Sequence, residues 1–212
     1  MHNLGIAHLR IGNLEEAADA IEEAIKIRKQ KLGSYSPRVA DSLVELGNTL
    51  LAQHEHEDSI EIFEEALAIR EKMLTTLDHS EQGQVKLQMS KILNDIGCAH
   101  FEYAELDNAK EAFEEALAIQ RACFEEGTFT SMPGFLAISN TVCNLALVHM
   151  EMADWESAVF RLEEGLKIQQ NSLEHTNVII VSTLKNLAYA SVKFGAIDKA
   201  LQVRLCYQRK VF

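Results

Sequence analysis

Histidines, cysteines and clustered carboxylates are the residues of this chain that could do chemistry, and their spacing decides whether they do. His54 and His56 stand close together in the stretch HEHED. The helical zinc motif H-E-x-x-H would need a second imidazole where Asp58 stands, so a solvated turn is expected there and no metal site. Cys98, Cys123, Cys143 and Cys206 form no C-x-x-C pair, which reads as reduced thiols of a cytoplasmic protein. No glycine-rich phosphate loop and no G-x-S-x-G elbow occurs, and no cysteine has a recognisable local partner. The chain therefore reads as a non-enzyme with no catalytic residue, metal or cofactor.

The elements that would position any site are helical. The 212 residues are 47% hydrophobic with two prolines, and the long stretches of Ala, Leu, Ile, Glu, Lys and Gln favour helix because these side chains lose little rotamer freedom in it. A formal charge of -12 repels polyanions, so nucleic acid is an unfavourable partner. No apolar run reaches the roughly 20 residues that span a bilayer, and the N-terminus has no secretory signal pattern, so no membrane is expected either.

One pattern recurs five times. A large aliphatic residue followed by a small one appears as Leu4-Gly5, Leu46-Gly47, Ile96-Gly97, Leu145-Ala146 and Leu187-Ala188. Three residues beyond the small one stand His8, Leu50, His100, His149 and Ser191. Twelve beyond it stand Ala17, Ser59, Ala109, Ala158 and Ala200, followed at fixed intervals by Ile21, Phe63, Phe113 and Leu162, then Ala24, Ala66, Ala116 and Gly165. The fifth copy loses register at Arg204 and Tyr207. Small residues let two antiparallel helices approach, and a large residue one turn away fills the groove beside the contact. Histidines spaced by whole repeats cannot converge on one ion and read as structural. The pairs Glu22-Glu23, Glu64-Glu65, Glu114-Glu115 and Glu163-Glu164 also share one repeat position, which makes them a charged solvent face.

This set of positions resembles the tetratricopeptide repeat (TPR). Leu4 to Leu46 and Leu145 to Leu187 span 42 residues against the 34 of the standard repeat, and the connector LGSYSPRVADSL is similar to that of kinesin light chains, with longer helices and a Gly-x-x-x-Pro link. The resemblance implies an all-α, right-handed superhelical solenoid of antiparallel helix pairs, a single array over 1-212. About five repeats are expected, at 1-33, 37-77, 81-126, 132-174 and 177-212, the first and last incomplete. The third and fourth copies begin after 50 and 49 residues, so their connectors are expected to carry insertions. Ser36 before Pro37, Ser131 before Pro133, and Thr176 or Asn177 are candidate N-caps. Gly12 and Gly195 fall in turns that favour positive φ. Both ends fall inside a repeat without an evident polar cap, which suggests a segment of a longer protein or self-association through the uncapped terminal repeats.

The family implies that the first helix of each pair lines a concave groove. Asn3, Asn48, Asn94, Asn144 and Asn186 would then offer amides that both donate and accept, suited to the backbone of an extended peptide. Glu45 and Asp95, with Asp41, Glu102 and Glu151, make the first part acidic, whereas Lys185 and Lys193 make the last pair basic. Val44, Glu45 and Asp95 depart from the carboxylate clamp that grips acidic C-termini, and the acidity also counts against acidic kinesin-light-chain cargo. A basic or apolar peptide or protein fits better. Leu9, Leu51, Phe101, Met150 and Tyr189 offer either apolar pockets for a ligand or packing between first helices. In the connector ACFEEGTFTSMPGF, residues Phe124, Phe129, Met132 and Phe135 either form an interaction patch or fold back to fill the gap, the second being favoured. The expected function is a non-catalytic scaffold or adaptor binding a peptide or protein in the groove. The alternatives are a regulatory or substrate-docking region of a larger enzyme and a self-assembling array.

Overall fold

The computed structural model describes residues 1–127, 132–173 and 177–203; the side chains of His79, Ser80 and Met132 are also outside the description. The helices are α1 (His2–Arg10), α2 (Leu14–Leu32), α3 (Pro37–Ala52), α4 (His56–Leu74), α5 (His79–Glu102), α6 (Leu106–Glu125), α7 (Met132–Glu151), α8 (Trp155–Ser172) and α9 (Val178–Phe194). Residues 197–203 are helical as well, and no strand occurs among the described residues. The expected all-α array of helix pairs is the observed fold. None of these helices is long and apolar enough to cross a membrane.

The chain divides between Ala116 and Leu117, within α6, into two compact units. In the first, each helix packs on its sequence neighbours from α1 to α5. Its core is built from Ile21, Val39, Leu43, Phe63, Ile69, Ile92 and their neighbours. In the second, α8 packs between α7 and α9 around Ala146, Leu162, Ile180, Leu184 and Leu187.

The small residues are the contact points, as the repeat requires. A Cβ on Gly47 would lie 2.6 Å from the Phe63 ring, one on Gly97 would lie 2.6 Å from Phe113, and one on Gly5 would lie 2.4 Å from Ile21. Ala17, Ala109 and Ala158 are fully buried opposite. Ser59 takes their place in the second pair because its hydroxyl can donate to the Gly47 carbonyl at 3.0 Å, which satisfies a buried polar atom.

Every turn inside a helix pair reverses through one left-handed residue, seven positions after the small one. Gly12 (φ 83°) and Gly195 (φ 85°) do so as expected, but His54 (φ 63°), Ala104 (φ 64°) and Ala153 (φ 58°) adopt it too. A Cβ makes that conformation cost roughly 1–2 kcal/mol, so tertiary packing and not local preference sets these three turns.

The extra residues of the third copy do not form a loop. They extend its first helix, so that α5 begins at His79, 24 residues long against 16 in α3. Ser36 caps α3 with Pro37 at the first position, but its hydroxyl makes no capping bond; its carbonyl accepts the Val39 N–H at 2.8 Å. Asn177 caps α9 through its side chain, accepting from the Ile179 N–H at 2.9 Å. Ser131, Thr176, Phe129, Arg204, Cys206 and Tyr207 lie outside the described residues.

Candidate functional site

The residues expected to line the groove all lie on first helices. Asn3, Glu45, Asp95, Asn144 and Asn186 immediately precede the large aliphatic residue of their copies, whereas Asn94 and Lys185 stand one position earlier and Asn48 and Tyr189 two positions after it. Within the first unit, Glu45 and Asp95 occupy equivalent places on α3 and α5 and repel one another. Asn48, Asn94, Asn144 and Asn186 are half-buried and Asn3 is exposed. Asn94 reaches one turn along α5 to the Cys98 sulfur at 3.9 Å.

Asp95 is the most perturbed of these groups. Burial pushes its carboxyl up to about 6, the Glu45 carboxylate adds to the rise, and the Lys91 ammonium opposes it. Its Oδ2 is buried with no hydrogen-bond partner. The neighbouring Cys98 thiol is pushed up to about 12, first by burial and then by Asp95 and Glu102, so it is not a reactive thiolate. Cys143 is raised as well, mainly by burial.

In the second unit, Lys185 and Tyr189 are exposed on α9. The Tyr189 ring stands edge-on to Trp155 at 6.0 Å, with the Lys193 ammonium 5.6 Å from its centroid. Met150 packs against the core of this unit. Phe101 on α5 is half-buried. Phe124 and Phe135 meet edge-to-face at 5.3 Å, so these two residues of the aromatic connector fold back on one another.

The repeated histidines bind the residue that opens the following helix. His100 Nδ1 lies 2.7 Å from Glu105, His149 Nδ1 lies 3.1 Å from Asp154, and His8 Nδ1 lies 3.5 Å from the Asn13 amide. Glu105 is lowered first by the hydrogen bond from Asn108 and then by that from His100, and Asp154 chiefly by the Ser157 side chain, with the Ser157 N–H it caps adding to this.

A second polar position escaped the sequence reading. Four residues after Ala24, Ala66, Ala116 and Gly165 stand Arg28, Arg70, Gln120 and Gln169, each on a second helix: Arg28 and Gln120 reach the next first helix, whereas Arg70 and Gln169 reach back to the first helix of their own pair. Arg28 donates to the Arg38 carbonyl at 2.7 Å and to Ser42, and Arg70 pairs with Asp41. Gln120 donates to Thr141 at 3.0 Å, and Gln169 to the Cys143 sulfur at 3.5 Å. The signal that could have found them is the Ile-Arg or Ile-Gln dipeptide at the same place in four copies. Arg70, Gln120 and Gln169 are buried.

Antiparallel helix pairs with small residues at their contacts and a left-handed residue in each turn define a tetratricopeptide-type array. Family models of the tetratricopeptide repeat match residues 1–72 and 90–123. The chain belongs to the tetratricopeptide-repeat family, and its repeats are of the kinesin-light-chain-like type. A model of anaphase-promoting complex subunit 5 matches residues 125–187. Among curated proteins there is no significant match. Among solved structures, the nearly identical TPR-like repeats of a Podosopora anserina protein classed with the kinesin light chains are similar at 20% identity and a TM-score of 0.75, covering 99% of this chain and 92% of that one. BtubC from P. vanneervenii is similar at 19% identity and 0.73, over 98% and 75%. The apo form of RapI is similar at 17% and 0.78, over 97% and 51%. At these identities the likeness is one of fold.

Proposed function

We propose that this chain is a non-catalytic interaction module that holds an extended peptide or a segment of a partner protein against its first helices, and that the α3–α5 region prefers basic or apolar sequence. The observation that carries the reading is Asp95, whose buried Oδ2 has no hydrogen-bond partner and whose ionisation is opposed by both burial and Glu45. A carboxylate held in this way gains most from a ligand that brings a cation or an N–H donor. Half-buried amides at Asn48 in the first unit and, separately, at Asn186 in the second fit the same use, because each can serve a peptide carbonyl and a peptide N–H together. A Rap conjugation gene regulator similar in fold is known in complex with a Phr peptide, which is consistent with peptide binding by such arrays.

The test is a peptide array of basic, acidic and neutral extended sequences, probed with the parent chain and with Asp95→Asn and Glu45→Gln. Binding to basic peptides that weakens in both variants, with helicity unchanged, supports the reading. Equal binding of acidic and basic peptides, or indifference to both substitutions, would count against it.

A second reading rests on the match of residues 125–187 to the model of anaphase-promoting complex subunit 5. There the second unit would serve as a docking surface within a multiprotein assembly. It predicts that 117–212 alone retains the partners captured by the whole chain.

A further inference from the structure

We propose that His54, His56 and Glu102 form a binding site for a divalent transition-metal ion of the zinc type. One donor atom from each residue lies within 4.8 Å of the other two. His54 stands in the turn between α3 and α4, His56 is the first residue of α4, and Glu102 is the last residue of α5. The pair His54–His56 lacked a third ligand in the sequence, and stacking of the third helix pair on the second supplies one.

Two imidazoles and a carboxylate with an open position match the donor preference of zinc, whereas magnesium and calcium prefer all-oxygen shells. Zinc bonds of about 2.0–2.1 Å put tetrahedral donors about 3.4 Å apart, so the three side chains must close slightly on the ion. His54 and Glu102 are exposed and can turn without disturbing the core. His56 is held more firmly. Its ring lies 5.9 Å from that of Tyr103, whose hydroxyl donates to Glu57, and 5.9 Å edge-on from that of His54.

Two further observations point to a ligand. His56 Nδ1 is buried with no hydrogen-bond partner, an arrangement that is unfavourable unless something satisfies it. His54 adopts φ 63°, as its counterparts in every other pair adopt positive φ, but they are Gly12, Ala104, Ala153 and Gly195. The turn needs no imidazole, so the ring is free for another role. Glu55, Glu57 and Asp58 surround the turn and make its field attractive to cations. A bound ion would tie the α3–α4 turn to the end of α5 and so clamp two successive repeats.

The experiment is calorimetric titration of the metal-stripped full chain with ZnCl2, and in parallel with MgCl2. The expected result is saturable binding of one zinc at this site, a raised thermal midpoint and no comparable magnesium binding. His54→Asn keeps a residue that tolerates the left-handed turn, and it, His56→Gln and Glu102→Gln should each weaken zinc by more than about 10-fold, since outer-shell losses alone cost 10–100-fold. His8→Gln should leave affinity unchanged. Zinc-induced shifts of the His54 and His56 imidazole resonances in the parent chain give a readout that needs no variant. Absence of zinc binding, equal binding of magnesium, binding retained in the His54→Asn/His56→Gln double variant, or unshifted imidazoles would each overturn the assignment.

Discussion

Asp95 is a carboxylate that the fold holds against its own preference. Its value rises from 3.8 unfolded to about 6 in the folded chain, so the native state binds the proton more tightly. Stability from this group is therefore present below about pH 4 and is lost as pH rises through 6. The shift of about two units corresponds to about 3 kcal/mol at neutral pH, as an order of magnitude. Asp95→Asn should raise stability at pH 7 by up to that amount and leave it nearly unchanged below about pH 4, as urea titrations at the two pH values would reveal. A flat difference across this range would mean that Asp95 is not desolvated. Such an acid was nameable from the repeat register, but its missing partner was not, because that depends on what Lys91 presents from the preceding turn of α5 and Glu45 from α3.

Ala104 and Ala153 are the other residues whose cost only coordinates expose. Both are exposed and left-handed, so Ala153→Gly relieves roughly 1–2 kcal/mol of backbone strain against about 0.4–1 kcal/mol of added freedom in the unfolded chain. A net gain of about 0.5–1 kcal/mol should appear as a higher denaturation midpoint, and a loss would show that this turn differs from those at Gly12 and Gly195.

At the scale of helices, the pairing was legible and the lengths were not. Leu-Gly, Ile-Gly and Leu-Ala pairs with Ala or Ser twelve residues on mark where two helices touch, because only small residues permit that approach. Gly97→Ala would push a Cβ to 2.6 Å from Phe113, which is 1% exposed and has nowhere to go. Overpacking of this kind costs about 1–3 kcal/mol, and thermal unfolding should show it, whereas Ala146→Gly at the equivalent place removes a methyl and should cost through lost packing instead. The eight-residue excess of the third copy gave no clear signal, since the stretch HSEQGQVKLQMS mixes the turn residues Ser80 and Gly83 with good helix formers and lacks a strong apolar stripe. Its addition to the start of α5 was decided by continuing the hydrogen-bonded backbone. The buried Arg70, Gln120 and Gln169 were missed for a related reason: composition marks them as surface residues, and only the cross-helix acceptors Asp41, Thr141 and Cys143 make their burial affordable.

At the scale of the whole chain, the charge of -12 governs which partners can approach. If the proposed preference for basic peptides holds, their affinity should fall at least several-fold between about 0.1 and about 1 M salt, where the Debye length shrinks from about 10 to about 3 Å. Titration by fluorescence anisotropy would measure it, and a salt-independent affinity would leave only apolar contacts as the source of binding.

What the sequence by itself determined is the family, the helix pairing and the faces that small and large residues must occupy, because these follow from a local periodicity repeated five times. What only the tertiary structure decided is the electrostatic isolation of Asp95, the burial of Arg70 in the first unit and of Gln120 and Gln169 in the second, the strained turns, and the meeting of Glu102 with His54 and His56. Each of these depends on residues from different helices arriving within a few ångströms of one another, and no spacing along a single chain encodes a distance across the contact between neighbouring repeats.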